Sequence, residues 1–291
     1  MIQMHILNEA LLDTIRDTAT LVPFLFVTYL AMEWLEGRTE EQSVALLSRV
    51  GKPAYFIGAG IGLIPQCGFS AAAAGLYSGG VISAGTMLAV FLSTSDEMVP
   101  IFLSSSVNPM TIIKILAAKF LIACVSGILV DFGLKAFRYN SGHKHIHDLC
   151  EQDHCGCEDE GGIIKSAAVH TIKTIIFIFI VSLVISLIVL YAGKESVSAA
   201  LSGTPIIGTF LIGLIGLIPN CAASVIVAEL YIEGMITSGQ MLAGLLVGAG
   251  VGILVLVRNN RMVSENVIII SLLYIIGVLW GIAVDAVGLS F

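Results

Sequence analysis

The strongest constraint on this chain is an internal repeat with a period of 154 residues. Sliding the sequence along itself by that distance places Gly62–Ala89 on Gly216–Ala243 without a gap, and 15 of the 28 residue pairs are identical. The shared text includes the closely similar stretches GLIPQCGFS and GLIPNCAAS. We therefore interpret residues 1–137 and 155–291 as two copies of one fold.

The chain is too apolar for a water-soluble protein. Of its 291 residues 57% are hydrophobic and 12% are charged, whereas soluble domains carry about 25% charged residues. Runs such as Thr174–Tyr191 and Val267–Val284 approach the length of about 20 residues that spans a bilayer. Continuous apolar runs favour helices over a barrel. The sequence thus predicts an all-α polytopic membrane protein in a lipid bilayer, and its net charge of −7 argues against nucleic acid as a partner.

Each copy divides into five helical segments. Because five is an odd number, the second copy begins on the opposite side of the membrane, which makes the pair an inverted repeat of the kind found in transporters. The predicted segments are 9–35, 53–66, 67–78, 81–104 and 109–137 in the first copy, and 163–192, 205–220, 221–232, 235–257 and 264–289 in the second.

Basic residues predict the orientation, since cytoplasmic loops are enriched in Lys and Arg. With both termini outside, the inside loops carry Arg38, Arg49, Lys52, Lys135, Arg138, Lys144, Lys165, Arg258 and Arg261. The outside then keeps Arg16, Lys194 and at most Lys114. We expect a multi-pass protein of the cytoplasmic membrane with its central loop in the cytoplasm.

The repeated Pro-X-Cys steps predict broken or re-entrant helices. The segments beside each step are too short to cross a hydrocarbon core of about 30 Å comfortably, and proline disrupts the helix before it. Inverted symmetry would bring the two steps together into one substrate site. The residues predicted to line it are Gln66, Cys67, Ser70, Asn220, Cys221 and Ser224. The alternative is a packed kink in which small residues only serve helix contact.

Two acidic residues follow the first step. Asp96 and Glu97 lie in or near a span, where acids are costly and usually functional. They are predicted to bind a cation or to couple transport to protons. The matching stretch of the second copy, 247–254, has no acid, so the symmetry is broken there. The alternative is that both acids cap a helix at the outer interface.

The central loop, 138–162, is predicted to separate a first transmembrane repeat (1–137) from a second (163–291). Its density of His, Cys and acidic residues is typical of a metal-binding tract. The predicted ligands are His143, His145, His147, His154, Cys155 and Cys157. Their spacing is not that of a zinc finger, so a role in concentrating or sensing metal is expected rather than a rigid site. The alternative is a solvated acidic linker.

The duplicated Gly-Leu-Ile-Pro-(Gln/Asn)-Cys, the Thr-Ser-Asp-Glu that follows the first of these two motifs and the His-rich central loop together resemble the ten-span heavy-metal exporters, a family described as arsenic-efflux-type or manganese transporters. The resemblance implies export of a toxic metal across the cytoplasmic membrane. No Walker loop occurs, so transport is expected to be secondary, with proton exchange at Asp96 or Glu97.

The substrate follows less directly from the residues. Oxygen ligands at Asp96, Glu97, Gln66 and Asn220 favour Mn²⁺ slightly, while the thiols of Cys67 and Cys221 favour Zn²⁺, Cd²⁺ or trivalent arsenic. The primary prediction is efflux of a divalent transition metal with no cofactor and no enzymatic activity. Arsenical efflux is the first alternative, and an intramembrane enzyme or lipid-handling protein is the second. A homodimer is compatible with the sequence.

Overall fold

The computed structural model describes residues 2–36, 54–95, 98–136, 163–201 and 205–291, and the regular structure within these ranges is entirely helical. This confirms the all-α class. In chain order the helices are α1 Ile2–Glu36, α2 Ala54–Gly62, α3 Gly68–Ser78, α4 Ala84–Ser93, α5 Met98–Ser104, α6 Pro109–Ala136, α7 Ile163–Leu201, α8 Pro205–Gly216, α9 Cys221–Ile232, α10 Ser238–Val247, α11 Gly252–Asn259 and α12 Val263–Val287.

Five stretches of the described chain are long and apolar enough to cross a membrane, which supports a multi-pass protein. They are Ala84–Ser104, Pro109–Leu134, Ala167–Val184, Ser238–Asn259 and Val263–Val287. Ser238–Asn259 is almost wholly buried inside the protein, whereas two thirds of the Val263–Val287 window remains uncovered. The first therefore belongs to the centre of the bundle, and the second presents apolar side chains outward, where lipid would solvate them.

Equivalent helices pack in equivalent ways in the two copies. Helix α4 lies against α2 and α6, and α10 lies against α8 and α12. The contact of α4 with α6 and that of α10 with α12 each depend on a pair of glycines that lets the two backbones approach closely. A Cβ added to Gly85 would overlap the carbonyl oxygen of Gly127, and one added to Gly239 would overlap that of Gly281.

An aspartate from the last helix of each copy accepts a backbone N–H in the first turn of the helix that it packs against. The carboxylate of Asp131 accepts the backbone N–H of Gly85 at 2.7 Å and the hydroxyl of Tyr55 at 2.6 Å. Asp285 accepts the N–H of Gly239 at 2.8 Å in the same way. Each carboxylate satisfies an amide at a helix N-terminus, where negative charge is favourable. These two acids therefore have a structural role.

The two copies also interlock. Helix α11 of the second copy packs against α3 of the first, and α5 of the first packs against α9 of the second. The long helices α1 and α7 run against each other. Each half therefore completes part of the other's core, and the central loop between them lies outside the described residues.

The structure divides two segments that the sequence analysis treats as continuous. Segment 81–104 becomes α4 and α5, and segment 235–257 becomes α10 and α11. The second interruption contains Gly248 and Gly250, and Gly250 has a positive φ of 52°, a conformation that glycine adopts readily. At the first interruption, the hydroxyl of Ser95 donates to the backbone oxygen of Leu63 at 2.8 Å.

Candidate functional site

The Pro-X-Cys steps fall between helices in both copies. Helix α2 ends at Gly62 and α3 begins at Gly68, while α8 ends at Gly216 and α9 begins at Cys221. We call the non-helical stretches 63–67 and 217–220, together with Cys221, the two tips.

The same tight turn forms both tips. The backbone N–H of Gln66 donates to the carbonyl of Ile64 at 2.7 Å, and that of Asn220 donates to Ile218 at 2.7 Å. A bond between residues i and i+2 closes a γ-turn. A proline is the central residue of each turn; its fixed φ suits the turn, and it has no N–H to leave unpaired.

The tips bring the two repeated cysteines into contact. The Sγ atoms of Cys67 and Cys221 lie 3.1 Å apart, and neither cysteine is part of a disulfide. Cys221 is buried and Cys67 is half-buried. Two residues separated by the full repeat period therefore meet at one point.

A small pocket borders the thiol pair. Beside the two cysteines it is lined by Asn220, by Thr18 of α1 and by Ser182 of α7. The side-chain amide of Asn220 donates to the backbone oxygen of Ser182 at 3.4 Å, and its oxygen accepts the N–H of Ala222 at 3.0 Å. Asn220 thus caps α9 and fixes the position of the second tip.

The remaining predicted lining residues differ in their surroundings. Ser70 is fully buried and donates its hydroxyl to the carbonyl of Cys67 at 2.9 Å, so it supports the first tip. Ser224 lies beside Gly248, since a Cβ built there would be 3.4 Å from the Ser224 hydroxyl. Gln66 is half-buried within the first tip.

The carboxylates and loop ligands predicted from sequence lie outside the described residues. These are Asp96, Glu97, His143, His145, His147, His154, Cys155 and Cys157. Within the ranges that the structure does describe, no three His, Cys, Asp or Glu side chains are grouped closely enough to hold a metal ion. The thiol pair is therefore the candidate metal-ligating feature in the described part of the chain.

Two buried charged residues are absent from the predictions made from the sequence. Lys119 of α6 is fully buried, and its Nζ donates to the backbone oxygens of Thr94 and, at 2.9 Å, of Leu245. Glu265 of α12 is also buried and accepts the hydroxyl of Tyr77 at 2.8 Å. Lys119 interrupts an otherwise apolar run, and this interruption could have marked it as a candidate functional residue.

Two adjacent thiols can hold a soft metal or metalloid through sulfur. In a tetrahedral zinc site with Zn–S bonds of about 2.3 Å, the two sulfurs are roughly 3.8 Å apart. The sulfurs of Cys67 and Cys221 are 3.1 Å apart, so they would have to move about 0.7 Å further apart to bind such an ion. Rotation about the side-chain bonds can supply a movement of this size.

The contact predicts that mild oxidation will join the two cysteines. We expect copper-phenanthroline treatment to link Cys67 to Cys221 in most molecules. Their sulfurs are 3.1 Å apart, so they need to approach by only about 1 Å to reach the length of a disulfide bond. Mass spectrometry of proteolytic fragments identifies the linked pair. Cys124, which is buried on α6, serves as the internal control. Failure to link the pair in folded protein would contradict the geometry.

Comparison with known proteins adds one finding. A family model described as "Putative, 10TM heavy-metal exporter" matches residues 3–207. No curated protein and no solved structure matches the chain. The matched region includes α1 to α7 and the first tip, and it ends just within α8.

Proposed function

Since this chain belongs to the family of ten-span heavy-metal exporters, we propose that it is a secondary-active exporter of a thiophilic metal or metalloid. The observation that carries the proposal is the 3.1 Å contact between the thiols of Cys67 and Cys221. The family is one of transporters, in keeping with the prediction that the protein is not an enzyme. The substrate is expected to bind between the two tips, held by the sulfurs of Cys67 and Cys221.

The thiol pair favours soft substrates over Mn²⁺. Thiolate selects Zn²⁺, Cd²⁺ and trivalent arsenic, whereas Mn²⁺ prefers carboxylate and carbonyl oxygen. The slight preference for Mn²⁺ depends on the oxygen ligands of Asp96, Glu97, Gln66 and Asn220, and it stays a prediction. The alternative, Mn²⁺ efflux through those carboxylates, is distinguished below by substrate competition.

We further propose that the two copies form an inverted repeat around this site. Residues one repeat period apart can touch only near the axis that relates the copies, and two such pairs support this. Cys67 contacts Cys221, and the indole N–H of Trp280 donates to the hydroxyl of Ser126 at 3.1 Å. In this arrangement substrate would reach the tips from either side in turn.

The remaining parts of the proposal follow from the sequence. Both termini lie outside the cytoplasmic membrane, and the central loop lies in the cytoplasm, where its His and Cys residues would concentrate or sense metal. Proton exchange at Asp96 or Glu97 drives export. The protein requires no cofactor, and a homodimer is compatible with this cycle.

Transport by purified protein in liposomes tests the function. We expect proteoliposomes with an imposed proton gradient to move Cd²⁺, Zn²⁺ or arsenite at rates well above those of protein-free vesicles. Mn²⁺ should compete weakly, because it lacks affinity for thiolate. Metal movement is followed with an encapsulated fluorescent chelator, and arsenite by mass spectrometry of the vesicle contents.

Two outcomes would change the conclusion. If none of these substrates moves under a gradient of either direction, the exporter proposal fails. If Mn²⁺ alone moves, the protein is an exporter but the thiol pair is not its substrate site.

A further inference from the structure

Lys119 occupies a position that the proposed function does not use. It is a fully buried cation on α6, a helix otherwise lined by apolar side chains at this depth. Its counterpart one period later is Leu273, which is also fully buried. A charged side chain inside a membrane bundle is costly and is retained for a function. The charge therefore belongs to one copy only, at a position that the repeat itself does not require.

The ammonium of Lys119 joins the two copies at the ends of equivalent helices. Its Nζ donates to the backbone oxygen of Thr94, directly after α4, and to that of Leu245 in the last turn of α10. Helix C-termini each carry about half a negative charge. One ammonium can therefore balance both ends, which explains why a single lysine serves both copies.

The first of these helix ends leads directly to the first tip. Ser95, the residue after Thr94, donates its hydroxyl to the backbone oxygen of Leu63 at 2.8 Å, and Leu63 begins the stretch that ends in Cys67. A Cβ added to Gly62 would lie 2.6 Å from the backbone oxygen of Val90, so α2 is also packed tightly against α4. The position of the first tip thus depends on the end of α4.

The second helix end leads to the second tip in the same way. Gly244, the residue before Leu245, has its backbone against Gly216, where an added Cβ would overlap the Gly244 carbonyl oxygen. Gly216 is the last residue of α8, and the tip that ends in Cys221 begins directly after it. The Gly216–Gly244 contact is the repeat equivalent of the Gly62–Val90 contact, so the two connections match.

We propose that Lys119 is a positioning residue for the thiol pair. By holding the ends of α4 and α10 together, its ammonium sets the distance between the two tips and hence between the two sulfurs. Lys119 does not itself contact the substrate in this assignment. The inference rests on the proposed function for its effect on transport, but its effect on the thiols can be measured without substrate.

The test compares Lys119→Met with Lys119→Arg and with Lys114→Met, a control on the exposed side of the same helix. We expect the Lys119→Met protein to form the Cys67–Cys221 disulfide at least about tenfold more slowly than wild type. Its half-saturating Cd²⁺ concentration should rise about 10- to 100-fold, the usual effect of losing a residue that orients metal ligands. Turnover at saturating Cd²⁺ should change less. Lys119→Arg should keep much of the wild-type rate of disulfide formation and of the wild-type Cd²⁺ affinity. Lys114→Met should match wild type in both quantities.

A residue with only a stabilising role would behave differently. In that case Lys119→Met would reduce the yield of folded protein, while the folded fraction would keep wild-type disulfide formation and Cd²⁺ half-saturation, and the inference would be overturned. If wild type carries none of Cd²⁺, Zn²⁺ and arsenite while Lys119→Met still slows disulfide formation, the positioning role stands and the proposed function fails.

A second variant keeps the test decisive if Lys119→Met does not fold. Lys119→Ala removes a fragment about the size of propylammonium, which can be supplied in the buffer during purification. We expect disulfide formation to rise with propylammonium concentration and to be unaffected by propanol, which lacks the charge. Equal rescue by the two compounds would overturn the role of the ammonium.

Discussion

Gly85→Ala and Gly239→Ala are each expected to prevent accumulation of folded protein. In both copies the glycine is where the fourth and last helices of the repeat meet, and the added methyl group would overlap a backbone carbonyl oxygen, of Gly127 or of Gly281. Backbone atoms can yield only by moving a whole helix. A methyl group at Gly85 would also lie 2.7 Å from the carboxyl group of Asp131, which would disturb the helix cap. Each change should cost about 3 kcal/mol or more of folding free energy.

The measurement is the yield of monodisperse protein on size-exclusion chromatography, followed by thermal unfolding in detergent. Gly60→Ala on α2 is the matched control, because an added Cβ there meets no atom within 4 Å. It should be neutral or slightly stabilising, since alanine is the better helix former. Wild-type yield and melting temperature for Gly85→Ala would show that the close helix contact is not formed.

Removing either thiol is expected to abolish high-affinity transport of soft substrates. Cys67→Ala and Cys221→Ala each leave one sulfur where the proposal requires two. Loss of a residue that merely supports a ligand costs 10- to 100-fold in metal affinity, so loss of the ligand itself should cost about 100-fold or more. The double variant should be hardly worse than either single one, because the two sulfurs act as a unit. Flux of Cd²⁺ and arsenite into proteoliposomes measures the effect.

Cys124→Ala is the control for this series. Cys124 is buried on α6 and undergoes the same chemical change without loss of the thiol pair, so it should keep wild-type flux. Soft-metal flux that survives in the double variant would remove the thiols from the substrate site. Mn²⁺ flux that survives there and disappears in Asp96→Asn would instead support the oxygen-ligand alternative.

The tips could be predicted from the sequence because they depend on local chemistry that recurs. A proline breaks the helix before it wherever it stands, and duplication at a constant period showed that the two breaks are equivalent. That the two Pro-X-Cys steps would come together was expected on symmetry alone; in the structure the sulfurs of Cys67 and Cys221 lie 3.1 Å apart. The all-helical class could also be predicted, because it follows from the long continuous apolar runs.

The second pair of interruptions and the role of Lys119 could not be predicted in this way. Thr94 and Ser95 are compatible with a helix, and they leave it because their partners are Lys119 on α6 and Leu63 in the first tip. Glycines such as Gly248 occur throughout membrane helices, so they did not mark an interruption either. Tertiary contacts decide both cases, and a single sequence does not contain them.

The packing of α11 on α3 has a consequence for how the protein is made. Beside this contact, Tyr77 near the end of α3 bonds to Glu265 of α12, which comes shortly after α11 in the chain and follows Tyr77 by 188 positions. At about 5–20 residues per second the ribosome needs roughly 10 to 40 s to produce that partner. During this interval α3, a short helix rich in glycine and alanine, has no α11 to cover it. The packing of the first half is therefore completed only by helices that are translated long after it.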